Sequence, residues 1–298
     1  MSVVRHLLAC VCLAFAILGP SLAEAQKLVH SERSLYREVL VYDDGPIRCI
    51  CFTRNCRIGR QTCMNTEAPE RFVMNYTQMM MAALFLNPRP QSILIIGLGG
   101  GTLPQALHQV LPESRIDVVE IDPAVVRVAK RFFNFRTGDL VRVEEVDGRV
   151  FVKRAQREGR QYDLIMLDAF DHEYIPEHLL TREFLQEVAS LLSPQGVLAA
   201  NTFSSSRLYD HESVTYEAVF GTFYNLKEDN RVILATKEQL PPKSHVERNA
   251  AGFKQTFAGF DIGVERLLRL FSTAADWDRG ARVLTDQYSP ANLLNLRE

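Results

Sequence analysis

The sequence lacks a surplus of charge of either sign: 34 Lys and Arg stand against 36 Asp and Glu, a net charge of -2 over 298 residues. That balance leaves no broad cationic footprint for a phosphate backbone, so no nucleic acid partner is expected. Metal signatures are also missing. His172 and His178 flank an acidic loop without making H-E-x-x-H, and the cysteines form no paired C-x-x-C knuckles, so no metal site is expected. Ser204, Ser205 and Ser206 lack the G-x-S-x-G elbow of a serine hydrolase and read as loop. The single tryptophan, Trp277, reads as a packing residue, and there is no internal repeat or low-complexity run. Beyond residue 25 no apolar run is long enough to span a bilayer. With 47% hydrophobic residues, the length fits one large domain or one domain plus a small one.

The N-terminus differs from the rest. Arg5 and His6 precede an apolar run from Leu7 to Leu18, Gly19 and Pro20 break it, and Ala23-Glu24-Ala25 is a small-x-small site. Residues 1–25 therefore read as a secretory signal peptide, and the mature chain as exported, periplasmic or secreted; left uncleaved, the segment would be a membrane anchor. Cys10 and Cys12 leave with it. Cys49, Cys51, Cys56 and Cys63 remain within one short segment, an even number that in an exported chain implies two disulfides with three possible connectivities.

Residues 26–66 read as a small antiparallel β unit, with an alternating strand over Tyr36–Tyr42, a turn at Asp43-Asp44-Gly45-Pro46, a strand over Ile47–Phe52 and a segment at Gln61–Asn65 that pairs back. Residues 67–298 read as the main α/β domain. A helix over Glu67–Leu86 comes first, its Met79-Met80-Met81 run serving as core filler. Strands then alternate with helices: Ser92–Ile96, Arg115–Ile121, Val141–Val146, Tyr162–Leu167 and Val197–Asn201 are strands, and Phe223–Lys227 with Arg231–Thr236 make a hairpin. That rhythm implies a doubly wound Rossmann-like parallel sheet with right-handed crossovers. Arg142, Arg149, Lys153, Arg154 and Arg157 read as a solvated face.

Ligands of open α/β sheets sit at the carboxyl ends of the strands. Four such ends carry chemistry here. Gly97, Gly99 and Gly101 follow the first strand and precede a helix, a turn that lets a ligand approach bare backbone. Glu120 ends the second strand about 20 positions later, where a carboxylate holds ribose hydroxyls. Asp147 and Gly148 follow the third; Asp147 is suited to an adenine amino group or simply to capping the next helix. Asp168 and Asp171 follow the fourth. A nicotinamide site would prefer G-x-G-x-x-G, but Thr102 stands at the third glycine position, and the combination points instead to an adenosyl sulfonium compound.

The motifs Ile95-Ile96-Gly97-x-Gly99-x-Gly101, Glu120-Ile121-Asp122, Asp147-Gly148 and Leu167-Asp168-Ala169-Phe170-Asp171 resemble those of the spermidine synthase (polyamine aminopropyltransferase) family. The resemblance runs from about Ser34 to Asn201, with a weaker echo over Leu284–Asn292. It implies a class I methyltransferase-like fold, a homodimer, and aminopropyl transfer from decarboxylated S-adenosylmethionine to a polyamine with release of methylthioadenosine. It implies Asp168 as the base that frees the amine lone pair, Asp171 and Tyr76 as holders of the amine chain, Glu120 on the ribose and Asp147 on the adenine. Tyr76 lies in the part of Glu67–Met79 that resembles the family's substrate-gating segment.

Three positions depart from the family pattern. Gly100 replaces the aspartate of G-G-G-D-G, Arg37 replaces the glutamine of the early Ser-x-Tyr-Gln motif, and Thr77 replaces the glutamine after the gating tyrosine. Losing an acid and gaining a guanidinium where the aminopropyl tail is handled suits a cofactor that keeps its carboxylate. This leaves a second reading, a methyl- or aminocarboxypropyltransferase using S-adenosylmethionine itself with Arg37 as a cofactor ligand. A third reading, an exported non-catalytic binding protein on the same fold, follows from export away from a cytosolic cofactor.

Overall fold

The computed structural model describes residues 26–57, 59–169, 176–204 and 208–294; the expected signal peptide lies outside them. The first sheet is small and antiparallel, with β1 (Lys27–Arg33), β2 (Glu38–Asp44), β3 (Ile47–Cys51) and β4 (Arg60–Asn65) in sequence order. Its β2–β3 turn is set by Gly45 at φ 58°. Alternation decides its faces. Val39, Val41, Ile50 and Met64 point to one side and pack on Val125, Val128 and Phe133, while Cys49, Cys51, Cys56 and Cys63 gather as a separate buried cluster. The three connectivities left open by the sequence resolve to Cys49–Cys63 and Cys51–Cys56. Cys49 and Cys63 face each other in the β3–β4 register.

The chain then enters α1 (Asn75–Met81), which runs on as a 3-10 turn over Ala82–Phe85. The helix expected over Glu67–Leu86 thus begins eight residues later. Asn65 Oδ1 accepts the N–H groups of Glu67 and Ala68, Pro69 follows, and Phe72 bridges back to Met64, so this stretch is a turn against β4 rather than a helix.

Strand–helix alternation follows: β5 (Ser92–Ile96), α2 (Thr102–Val110), β6 (Arg115–Glu120), α3 (Pro123–Phe132), β7 (Val141–Glu145), α4 (Gly148–Arg157), β8 (Tyr162–Leu167), α5 (Arg182–Leu191) and β9 (Leu192–Phe203). α6 (Leu208–Phe220) leads into β10 (Tyr224–Lys227) and β11 (Asn230–Thr236). The short helices α7 (Lys243–Ala251), α8 (Lys254–Ala258), α9 (Val264–Leu270) and α10 (Ala291–Leu294) close the chain. The seven-stranded sheet has the order β10-β11-β9-β8-β5-β6-β7. β5 to β9 are parallel, as the sequence rhythm implies, while the β10–β11 hairpin joins the same sheet antiparallel, through β11 on β9, and makes it mixed.

Both sheet faces are covered, so the central strands are apolar throughout. Ile93, Ile95, Leu164, Met166, Val197 and Ala199 face one core with the methionines of α1; Leu94, Ile96, Ile165, Leu167, Leu198 and Ala200 face the other, with α4 and α5. Arg149 corrects the expected solvated face. Its side chain is 11% exposed and holds Glu187 (2.8 Å) and Asp286 (2.7 Å) at once, tying the Leu284–Asn292 segment to α4 and α5. Those carboxylates hold its guanidinium firmly protonated. Among the described residues no helix is long and apolar enough to cross a membrane.

Replacing Cys49 and Cys63 together by Ala removes the cross-strand link of β3 and β4. The expected loss is about 3 kcal/mol, for a closed loop of roughly 15 residues, read as a lower urea midpoint with an unchanged slope.

Candidate active site

The parallel strands end in a cleft lined by the glycine loop, Glu120, Asp147, Gly148 and Asp168. Strand geometry converges them, because β8, β5 and β6 are neighbours and their carboxyl ends lie side by side. Gly97 is where the main chain is most crowded. Its N–H donates to Val119 O (2.8 Å), its φ is 102°, and a Cβ there would lie 2.1 Å from the carbonyl oxygen of Asp168. Gly101 ends the turn at φ 79° and passes the chain into α2. Gly148 lets α4 approach Ile96, whose Cγ2 would be 2.7 Å from an added Cβ.

Glu120 is bound to the loop that it serves. Its Oε2 accepts the N–H of Leu98 (3.0 Å) and its Oε1 that of Asp122 (3.0 Å). Burial pushes its carboxyl up, while the two N–H groups and the nearby Arg37 guanidinium oppose this. Two acceptor oxygens at a strand end, each with a lone pair left, suit vicinal hydroxyls.

Asp147 takes the capping role that the sequence left open to it, and its second oxygen meets a histidine. Oδ1 caps α4 by accepting from Arg149 N and Val150 N (each 3.0 Å), and Oδ2 lies 2.8 Å from His178 Nε2. The His178 contact, with the cap, holds its carboxyl below the ordinary value. His178 itself lines the cleft, a placement its sequence position gave no sign of.

Asp168 lines the cleft at the end of β8. It continues the row Leu164, Met166 on the α1 face of the sheet, and Tyr76 reaches it from α1, with Oη 3.3 Å from Asp168 Oδ2. On the other oxygen, Asn201 Nδ2 donates to Oδ1 (2.9 Å). Burial pushes the Asp168 carboxyl up to about 7; the Asn201 and Tyr76 hydrogen bonds oppose that, and Glu120 adds to it. Burial and the Asp168 charge keep the Tyr76 phenol protonated, so it donates to the carboxylate. The site therefore holds a carboxyl raised toward neutrality with a hydrogen-bond donor on each oxygen.

Arg37 lines the cleft with its guanidinium 4.2 Å from the centre of the Phe52 ring. The turn carrying it folds around the Ser34 hydroxyl, which accepts from Tyr36 N and Arg37 N and is 2.6 Å from Asp122 Oδ2. Phe52, Gln61 and Thr62 of the small sheet also line the cleft. Of the sequence-derived candidates, Gly97, Gly99, Glu120, Asp147, Gly148, Asp168, Tyr76 and Arg37 come together, and Gly101 closes the loop behind them. Asp171 lies outside the described residues. Asn201 and Ser34 were missed as site residues; a polar residue ending the apolar row Val197, Ala199 was the available signal for the first. Among the described residues no group of His, Cys, Asp or Glu is arranged to hold a metal.

Gly97→Ala forces a side chain into the Asp168 carbonyl at a φ that L residues rarely adopt. The expected result is a stability loss above about 1 kcal/mol together with a displaced Asp168, seen as a lowered thermal midpoint and weakened binding of adenosine-type ligands by calorimetry.

A family model described as Spermine/spermidine synthase domain matches residues 73–228. The chain is 47% identical over 283 residues to a polyamine aminopropyltransferase of Vibrio vulnificus (strain CMCP6), covering 93% of this chain and 95% of that protein. Among solved structures it resembles human methyltransferase-like protein 13 in complex with SAH, with 28% identity, a TM-score of 0.55, and coverage of 74% of this chain and 100% of that one. It shares its fold with a probable spermidine synthase from Corynebacterium glutamicum ATCC 13032, at 16% identity and a TM-score of 0.63 over 85% of this chain and 98% of that one. A cleft at the ends of the parallel strands with Asp168 in its lining, a family model over more than half of the chain, and a relative matched along nearly its whole length agree: this chain belongs to the spermine/spermidine synthase family.

Proposed function

We propose that the protein is a polyamine aminopropyltransferase that uses decarboxylated S-adenosylmethionine. The observation that carries this reading is Asp168, a cleft-lining carboxyl held by Tyr76 Oη (3.3 Å) and Asn201 Nδ2 (2.9 Å), which burial pushes up to about 7. The amine enters protonated, and Asp168 takes a proton so that the nitrogen lone pair is free. That lone pair forms a bond to the aminopropyl carbon next to sulfur. The C–S bond breaks with its electrons going to sulfur, and the sulfonium leaves as the neutral thioether methylthioadenosine. Glu120 holds the ribose, Asp147 and the glycine loop hold the adenosine, and Tyr76 with Asp171 holds the amine chain. Glu120, Asp147 and Asp168, which all line the cleft, supply a sulfonium and an ammonium with the attraction that the near-neutral whole chain does not.

A second reading is favoured by two observations. Arg37 lines the cleft beside Glu120, and Gly100 has no room for an acid, since an added Cβ would meet Phe133 Cδ1 at 2.9 Å and Thr62 Cγ2 at 3.1 Å. A cofactor carrying a carboxylate would meet a guanidinium on that wall of the cleft. In that reading S-adenosylmethionine itself donates a methyl or aminocarboxypropyl group. The two disulfides support work in an oxidising compartment, in keeping with export.

Mass spectrometry of products separates the readings. Methylthioadenosine with an aminopropylated amine, formed from the decarboxylated cofactor, is the expected outcome; S-adenosylhomocysteine with a methylated amine, or a carboxylated adduct, would transfer the assignment to the second. No turnover with either cofactor would leave a binding protein.

A base must be ionised to act, and Asp168 is protonated below its raised value. The expected kcat/KM thus rises about tenfold per pH unit up to about pH 7 and levels off above it, and Asp168→Asn lowers kcat by roughly 10²- to 10⁴-fold.

A further inference from the structure

Asp168 is held by a residue that is itself held. Asn201 follows Val197 and Ala199 on the α1 face of β9, and the parallel register pairs Leu167 with Ala200, so Asp168 and Asn201 emerge side by side where the two strands end. Asn201 is 8% exposed. Its Nδ2 donates to Asp168 Oδ1 at 2.9 Å, and its Oδ1 accepts from Asn230 Nδ2 at 3.3 Å. Asn230 opens β11 at the hairpin turn, where its backbone pairs with Phe203 and where Ser204 Oγ donates to Asp229 O at 2.5 Å.

An amide can present either its N–H or its oxygen to a neighbour. Asn230 offers Asn201 a donor, which takes up the Asn201 oxygen and leaves the N–H side for Asp168. A carboxylate accepts that N–H; the reversed amide would set oxygen against oxygen. We propose that Asn201 and Asn230 form a positioning relay for the transfer: Asn230 fixes the Asn201 amide so that it holds Asp168 Oδ1, leaving Oδ2 beside Tyr76 to receive the proton of the attacking amine. The relay rests on Asp168 being the base.

The charged and titratable groups around Asp168 set what the relay must work against. Tyr76 approaches from α1, and Glu120 acts from the end of β6 with Arg37 beside it. Glu228 of the hairpin turn is ion-paired with Arg266 of α9. Burial and Glu120 favour the protonated acid, so the neutral donor from Asn201 keeps the base available at neutral pH.

The test is a cycle of variants in the full-length mature protein, with steady-state rates measured across pH. Asn201→Ala is expected to lower kcat about tenfold or more and to move the acid limb of kcat/KM to higher pH, with the KM for the sulfonium cofactor little changed. Asn230→Ala frees the amide, and its effect is smaller. Asn230→Asp, nearly the same shape, replaces the donor by an acceptor and turns the amide around, so its effect exceeds that of Asn230→Ala; a merely structural role gives the opposite order. In the Asn201→Ala background Asn230→Asp adds nothing, whereas a direct effect of the new charge on Asp168 persists there. Asn230 lies in a turn, and thermal midpoints close to wild type keep its variants interpretable. Unchanged kcat and acid limb in Asn201→Ala, or full persistence of the Asn230→Asp effect in its absence, overturns the relay. Asp168→Asn run alongside separates the failures: an active Asp168→Asn removes the base assignment and the relay together, while an inactive one beside a fully active Asn201→Ala removes only the relay.

Discussion

A carboxyl drawn partly out of water at the end of a parallel strand is the constraint around which this molecule is arranged. In water Asp168 would be fully ionised at neutral pH and weakly basic; burial raises it to about 7. A group in that condition needs partners for both oxygens, because an unsatisfied buried carboxylate is costly. The structure supplies them from two elements far apart in sequence, Tyr76 before the sheet begins and Asn201 at its fifth parallel strand. The glycine loop serves the same end. With any side chain at position 97, the Asp168 backbone could not sit where it does.

The small sheet is a wall of the cleft as well as a folded unit. Phe52 follows Cys51, and Thr62 precedes Cys63, so two residues bordering the cleft are direct chain neighbours of disulfide cysteines. On the same face as Phe52 and Thr62 the sheet packs Val39, Val41 and Ile50 against α3, whose own N-terminus is capped by Asp122. Asp122 also takes the Ser34 hydroxyl, and through it fixes the turn that carries Arg37. Cross-links, packing and one buried carboxylate thus hold the sheet to the carboxyl ends of the parallel strands at several points, and the position of Arg37 follows from them.

The departures from the family pattern become physical statements in this setting. Gly100 is surrounded by Phe133 and Thr62, so the missing acid is matched by packing that fills its place. The Arg37 guanidinium lies 4.2 Å from the centre of the Phe52 ring, an apolar and π surface, and its charge opposes the rise of the Glu120 carboxyl.

Much of this was legible in the sequence because it depends on local rules. Apolar runs broken by glycine or acid located the parallel strands, and the glycine turn with Glu120, Asp147 and Asp168 at strand ends located the cleft, since strand ends in such sheets must converge. What needed the tertiary structure depends on register and on contacts distant along the chain. The cysteine pairing was one of three until β3 and β4 were aligned. The turn at 66–74 replaced an expected helix because Asn65 and Met64 hold it from β4. The hairpin could be seen in sequence, but not its antiparallel seat on β9, which brings Asn230 to Asn201. Arg149 looked like one cation among several until Glu187 and Asp286 closed over it. Sequence determined which residues stand at the strand ends, because periodicity and glycine chemistry are local; tertiary structure alone decided which of their atoms face one another, because a hydrogen bond across a sheet depends on a register that no single strand contains.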